Sequence, residues 1–120
     1  MSSTPVTWFE IGADRPDEAE RFYTDLFGWA FEAQGPAYRQ TVAGGEQGIG
    51  GAIRTLDAGS PNYAIFYAQV ADVAETCRRA EAAGATVVVP PNTTPSGLVQ
   101  ARLRDPFGNL LGVFTPPAAG

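Results

Sequence analysis

Phe9–Trp29 reads FEIGADRPDEAERFYTDLFGW, and how it parses decides the fold. It begins inside Val6–Ile11, a short run rich in β-branched and aromatic residues, which predicts a strand. A helix start follows at Asp14. Pro16 stands in its first turn, and Asp17 and Glu18 lie at the positive end of the helix dipole. Ala19, Phe22, Tyr23, Leu26 and Phe27 recur at the spacing of one apolar helical face. Gly28 stands where a left-handed C-cap belongs. Three strand-like runs come next, at Trp29–Ala33, Tyr38–Val42 and Ile49–Thr55. The turn Gly44–Gly48 joins the last two; it is no phosphate loop, because no helix follows it.

The second half repeats this order. Tyr63–Val70 predicts a strand, and Asp72 is an N-cap with Glu75 at capping-box spacing. Val73, Cys77 and Ala80 share a helical face, and Gly84 ends the helix. Strands follow at Thr86–Val89, Leu98–Arg104 and Leu110–Thr115, the last two joined by the turn Asp105–Asn109. Asp57–Asn62 links the halves. Pro90–Gly97 is too polar and proline-rich for core and is a candidate to overhang a site. Each half therefore reads β-α-β-β-β. A four-stranded sheet with one helix has one face covered, and its other face must meet something.

Composition narrows the chemistry. At 120 residues the chain suits one domain, and 44% apolar with 18% charged residues is neither a disordered nor a tail-like composition. Eight Lys+Arg against 13 Asp+Glu give a net charge of −5, against the basic face that nucleic-acid binding needs. No apolar run reaches the ~20 residues of a membrane span, and no basic-then-apolar leader opens the sequence. These features predict a soluble cytoplasmic protein with no nucleic-acid or membrane partner. One cysteine, Cys77, permits no internal disulfide, and its helical face predicts a buried, inert thiol. There is no histidine, which removes the usual neutral-pH base and the commonest transition-metal ligand.

Phe9–Trp29 resembles the opening module of the vicinal oxygen chelate superfamily, which includes glyoxalase I, bleomycin-resistance proteins and extradiol dioxygenases. Arg104–Phe114 (RDPFGNLLGVF) resembles that family's closing hairpin. The resemblance covers essentially the whole chain. It implies an α+β fold of two βαβββ modules, residues 5–56 and 63–116, forming an open barrel around a cavity. Enzymes of the family hold one divalent metal through four side chains, one from the first and one from the last strand of each module. Carried over, those positions fall on Trp8, Gly51, Ile65 and Gly112, none of which ligates through its side chain. The resemblance is therefore to the metal-free branch, which implies no cofactor. Two-module members commonly form homodimers, which the resemblance implies here.

Strand alternation then names candidate ligand contacts. If Trp8 faces the cavity, Glu10 does too, while Phe9 and Ile11 back onto the helix. If Ile65 faces in, so do Tyr63, Tyr67 and Gln69, with Phe66 and Val70 against the second helix. Gly51 and Gly112 would present bare backbone at the wall, with Ile53 and Phe114 two steps on. Gln100 and Arg102 lie on the strand after the polar loop. Aromatic walls with few polar groups suit a small-molecule pocket, with Trp8 as a stacking platform or as plain core. Glu10 reads as a general acid or base, as an anchor for a ligand's amine or hydroxyl, or as a salt-bridge partner of Arg102 or Arg39.

Two function classes follow. One is a metal-independent protein that sequesters an aromatic or polycyclic ligand. The other is a metal-free isomerase, cyclase or lyase with Glu10 as base and Arg102 or Tyr67 stabilising an oxyanion. A metal-dependent enzyme with displaced ligands, for instance Glu10 with Gln69, and a filled barrel serving only protein contacts are weaker readings.

Overall fold

The computed structural model describes residues 3–42 and 48–118. Eight strands and two helices follow in the predicted order among them: β1 (Val6–Ala13), α1 (Pro16–Phe27), β2 (Phe31–Ala33), β3 (Tyr38–Thr41), β4 (Gly50–Thr55), β5 (Tyr63–Gln69), α2 (Val73–Ala82), β6 (Thr86–Thr93), β7 (Val99–Arg104) and β8 (Leu110–Thr115). The fold class is α+β, with a β-α-β-β-β order in each half. The turn expected at 44–48 lies outside the described residues except for Gly48. None of the helices among the described residues is long and apolar enough to cross a membrane.

The chain divides into two compact units. One is Trp8–Ile65; the other joins the residues through Thr7 to the chain from Phe66 onward. In the Trp8–Ile65 unit the strands run in the order β2-β3-β4-β1, with β1 parallel to β4. Ile11, Ala13 and Ile53 are its buried core, with Phe9, Ala19, Tyr23, Trp29 and Phe31 packed around them. Ala19 and Tyr23 come from α1, so Phe9 and Ile11 back onto that helix as their alternation predicts.

Helix α1 departs from expectation at its N-cap and along its apolar stripe. Its N-cap is Arg15, with no side-chain cap hydrogen bond, and not Asp14. Asp14 serves the linker instead: its carboxylate accepts from the Gly59 N–H at 3.3 Å, and its own N–H donates to Asn62 Oδ1 at 3.1 Å. The C-cap is Gly28 at φ 74°, the left-handed conformation glycine adopts without steric cost. The apolar stripe is wider than the contact it makes. Phe22, Leu26 and Phe27 are each more than half exposed. They flank a surface aromatic cluster in which Tyr23 stacks on Trp29 with centroids 5.6 Å apart and Phe27 lies 5.0 Å from Trp29.

The second unit orders its strands β5-β8-β7-β6, with β5 parallel to β8. Val73 and Cys77 of α2 bury against Ala101, Leu103 and Val113, with Val70 packed alongside. Phe66 does not join them and is about half exposed. Asp72 caps α2, its carboxylate accepting the Glu75 N–H at 3.0 Å, which satisfies one of the otherwise unpaired first-turn donors. Glu75 itself pairs with Arg78.

Strand β6 runs through Pro90 and Pro91, where a loop is expected. It lies at the edge of the order and pairs with β7 alone, with register shifts after Val87 and Val89. An edge strand tolerates proline because one row of its N–H groups needs no partner. Asn92 stitches the bulged segment, its amide donating to Pro90 O at 3.0 Å and Gln100 O at 3.3 Å.

Candidate functional site

Register, more than composition, decides which side chains meet. In the Trp8–Ile65 unit the parallel pairs are Trp8 with Gly50, Glu10 with Ala52 and Gly12 with Arg54. Across β3 and β4, Tyr38 pairs with Arg54 and Gln40 with Ala52. Paired residues share a face. The face turned away from α1 therefore carries two rows, Glu10–Ala52–Gln40 and Gly12–Arg54–Tyr38, beside Trp8.

Glu10 is the centre of this face. It is 1% exposed and, with Ile53, one of the two largest fully buried side chains among the described residues. A buried carboxylate needs partners to stay charged. The Tyr63 hydroxyl donates to its Oε2 at 2.6 Å, short for an O–H···O bond and expected of a charged acceptor. Arg54 lies along both oxygens, its Nη2 3.4 Å from Oε1 and its Nε 3.4 Å from Oε2. Gly12 makes the Tyr63 contact possible, since a Cβ there would run into the tyrosine ring.

Within this unit the salt-bridge partner is Arg54, and Arg39 is turned away from Glu10. Arg39 pairs in register with Ile53, on the α1 side, and its guanidinium bonds Asp17 and Glu20 at 3.0 Å each. Arg102 lies in the other unit.

Two more groups complete the cluster. The guanidinium of Arg54 lies over the Tyr38 ring, 5.1 Å from its centroid, within cation–π range. The indole Nε1–H of Trp8 donates to the Tyr38 hydroxyl at 3.3 Å. Burial, then the negative charge of Glu10, push the Tyr38 phenol above its usual pKa, against the opposing effects of Trp8 and Arg54. The phenol is thus protonated and a donor at neutral pH. Ile65 is buried in the same unit.

The Phe66-onward unit gathers its own expected residues. Tyr67 pairs with Gly112 and Gly112 with Arg102; Gln69 pairs with Phe114 and Phe114 with Gln100. All six lie in two adjacent rows, opposite the face that packs on α2. Tyr67 and Phe114 meet edge to face at 6.3 Å. Gln69 accepts from the Thr7 hydroxyl at 3.1 Å, and the Gln100 amide donates to Asn92 at 3.2 Å.

Gly51 is the exception. A Cβ on Gly51 would run into Phe9, on the α1 side, whereas one on Gly50 would meet Trp8. Ile53 follows Gly51 onto that side and is fully buried against Ile11. One residue of register reverses every side chain of a strand. Counting from Gly50 puts Arg54 on the Glu10 face, and that is the signal by which sequence could have found Arg54 and Tyr38. The glycines also do not leave open wall. The Trp8 ring covers Gly50, and the Tyr67 ring covers Gly112.

The side chains present do not fit a divalent metal. No group of three or more His, Cys, Asp or Glu converges among the described residues. Glu10 already serves Tyr63 and Arg54, and a ligating side chain at position 50 or 112 would displace an aromatic ring. Hard cations need several convergent oxygen donors, and this face offers the engaged Glu10 carboxylate and, at the far end of its row, the exposed Glu32.

Comparison with known proteins agrees with the architecture. The family model of the glyoxalase/bleomycin resistance protein/dioxygenase superfamily matches residues 6–113. A curated relative, "Putative glyoxylase CFP32" of Mycobacterium bovis, is 34% identical over 115 residues, 92% of this chain and 44% of that protein. The chain thus spans less than half the length of this relative. Among solved structures, the Mn(II)-bound glyoxalase from Novosphingobium aromaticivorans superposes with a TM-score of 0.66 at 24% identity, over 98% of this chain and 40% of that one. The methylmalonyl-CoA epimerase of Streptomyces coelicolor gives 0.65 at 18% identity, over 98% and 100%. At these identities the two structures speak to fold alone. The matched residues, the doubled β-α-β-β-β order and the parallel β1/β4 and β5/β8 pairs make this chain a member of the glyoxalase/bleomycin resistance protein/dioxygenase superfamily.

Proposed function

We propose that the protein is a metal-independent small-molecule-binding protein that holds an aromatic or polycyclic ligand, in the manner of a sequestering or resistance protein. One observation carries this reading: the aromatic rings of Trp8 and Tyr38 are braced on a buried Glu10–Arg54–Tyr63 network. Rigid aromatic surface with few, fixed polar groups suits a flat, largely apolar ligand. In the Trp8–Ile65 unit the expected contacts are Trp8, Glu10 through its network, and Ile65; the Phe66-onward unit has its own expected contacts in Tyr67, Gln69, Gln100, Arg102, Gly112 and Phe114. Gly51 drops from the set because its face is turned to Phe9.

A homodimer in the cytoplasm belongs to this reading. The exposed Phe22, Leu26 and Phe27 of α1 support a partner surface, and the single reduced, buried cysteine suits a reducing compartment.

The test is a fluorescence titration of the Trp29→Phe variant, in which Trp8 is the sole indole, with a panel of planar aromatic compounds. Saturable quenching, with affinity falling at least about tenfold in Trp8→Ala by calorimetry, is expected for a stacking residue. Unchanged affinity in Trp8→Ala overturns the stacking role.

One observation favours a second reading, that of a metal-free enzyme. The 2.6 Å bond between Tyr63 and Glu10 couples a phenol to a buried carboxylate, an arrangement that moves protons. In that case Glu10→Gln abolishes turnover and retains binding. Turnover unchanged in Glu10→Gln refutes it.

A further inference from the structure

The hydroxyl of Tyr38 has a direction as well as a place. A phenol offers one proton and two acceptor lone pairs. Trp8 Nε1–H occupies an acceptor position at 3.3 Å. The ring is held on one face by the Arg54 guanidinium, which pairs with Glu10. Tyr63, and not Tyr38, is the phenol that donates to Glu10. Among the described residues the Tyr38 proton meets no acceptor. A half-buried donor with its ring and its lone pair both fixed is a preorganised donor.

We propose that Tyr38 is a specificity-determining residue that donates a hydrogen bond to a neutral acceptor oxygen, a ketone or amide carbonyl, on the aromatic ligand. This rests on the binding reading above and names the ligand class within it. A neutral acceptor suits the site better than an anion. The Glu10 carboxylate is paired with Arg54, and its charge already acts on the Tyr38 phenol, so a second negative charge there would be repelled by it. A bare hydrocarbon fits less well, because it would strip water from the Tyr38 hydroxyl and return nothing.

The experiment compares three probes of one shape: 2-acetylnaphthalene, 2-ethylnaphthalene and 2-naphthoate, each titrated calorimetrically into wild type and Tyr38→Phe. In wild type the ketone binds more tightly than the hydrocarbon by roughly fivefold to tenfold, the worth of one hydrogen bond. In Tyr38→Phe that discrimination disappears and the two bind alike. Ketone and hydrocarbon binding equally well to wild type overturns the role of Tyr38 and leaves the aromatic site standing. Naphthoate binding more tightly than the ketone overturns the neutral acceptor. Failure of all three to bind wild type overturns both this proposal and the reading under it. Unfolding of Tyr38→Phe is checked by its thermal transition, and Trp8→Phe supplies a second variant. It removes the bond that fixes the Tyr38 lone pair and keeps the donor, so the preference for the ketone narrows without disappearing, and an unchanged preference overturns the preorganisation.

Discussion

Removing Arg54 should cost more than removing the charge of Glu10, although both break the same ion pair. Glu10 has a side chain 2% exposed, whereas that of Arg54 is 30% exposed. In Arg54→Met the aliphatic stem is kept but the carboxylate loses the Arg54 charge beside it and cannot move to water. Deleting one partner of a fully buried pair costs about 3–5 kcal/mol; the exposure on the Arg54 side and the surviving Tyr63 bond reduce this to about 2–3 kcal/mol. In Glu10→Gln the amide oxygen still accepts from Tyr63, and the Arg54 guanidinium keeps the Tyr38 ring and partial hydration, so the loss is about 1 kcal/mol. The double variant should cost less than the sum, with a coupling on the order of 1–2 kcal/mol. Urea unfolding followed by circular dichroism measures all four proteins, with an unchanged slope showing that stability alone has altered. Arg54→Met destabilising no more than Glu10→Gln would refute the asymmetry. A coupling of zero would refute the pair itself.

Other tests follow from packing and titration. Gly112→Ala forces the buried Tyr67 ring aside and should lose about 1–3 kcal/mol, while Gly48→Ala, with open space at its Cβ, should be near neutral; paired denaturant curves decide. Cys77 is buried, and burial followed by the charge of Glu81 raises its thiol pKa, so Ellman's reagent should label it only after unfolding; rapid labelling of native protein contradicts this. The Asp105 carboxyl accepts N–H bonds from Asn109 and Phe107 at 2.9 Å and should titrate by NMR below the ordinary aspartate value of 3.8. Its stabilisation of the turn is then present above that value and lost as pH falls through the lower folded pKa; a normal or raised value refutes the turn bonds.

The fold was legible because its signals are local. The apolar spacing in Phe9–Trp29, the glycine at position 28, the Asp72 cap and the Asp105–Asn109 turn each specify one element from a few neighbouring residues. Doubling that pattern gave the architecture. Edge effects were not legible: whether Pro90 and Pro91 break a strand depends on β6 having a single neighbour, which is a tertiary fact. The same holds at α1, where periodicity shows that Phe22 and Leu26 share a stripe and not how much of the stripe the sheet covers. In the site, alternation correctly set Glu10 opposite Phe9 and Ile11. It could not set the stagger between β1 and β4, which are more than thirty residues apart in sequence and parallel, so no turn fixes their register. Counting from Gly51 instead of Gly50 leaves Arg54 and Tyr38 off the Glu10 face, so alternation alone does not point to them.

Ligand is expected to bind on the Glu10 face of the Trp8–Ile65 unit. The two tryptophans report on its two sides. Trp8 lies over Gly50 on that face, and Trp29 lies among Phe9, Tyr23 and Phe27 on the α1 side. Each gives one indole N–H signal in a 1H–15N spectrum. Titration with 2-acetylnaphthalene should shift the Trp8 indole signal saturably, along with the amides of Glu10, Tyr38 and Arg54, and leave the Trp29 indole in place. A saturable shift of Trp29 with Trp8 unmoved would contradict the account and put the binding surface on the aromatic cluster of α1.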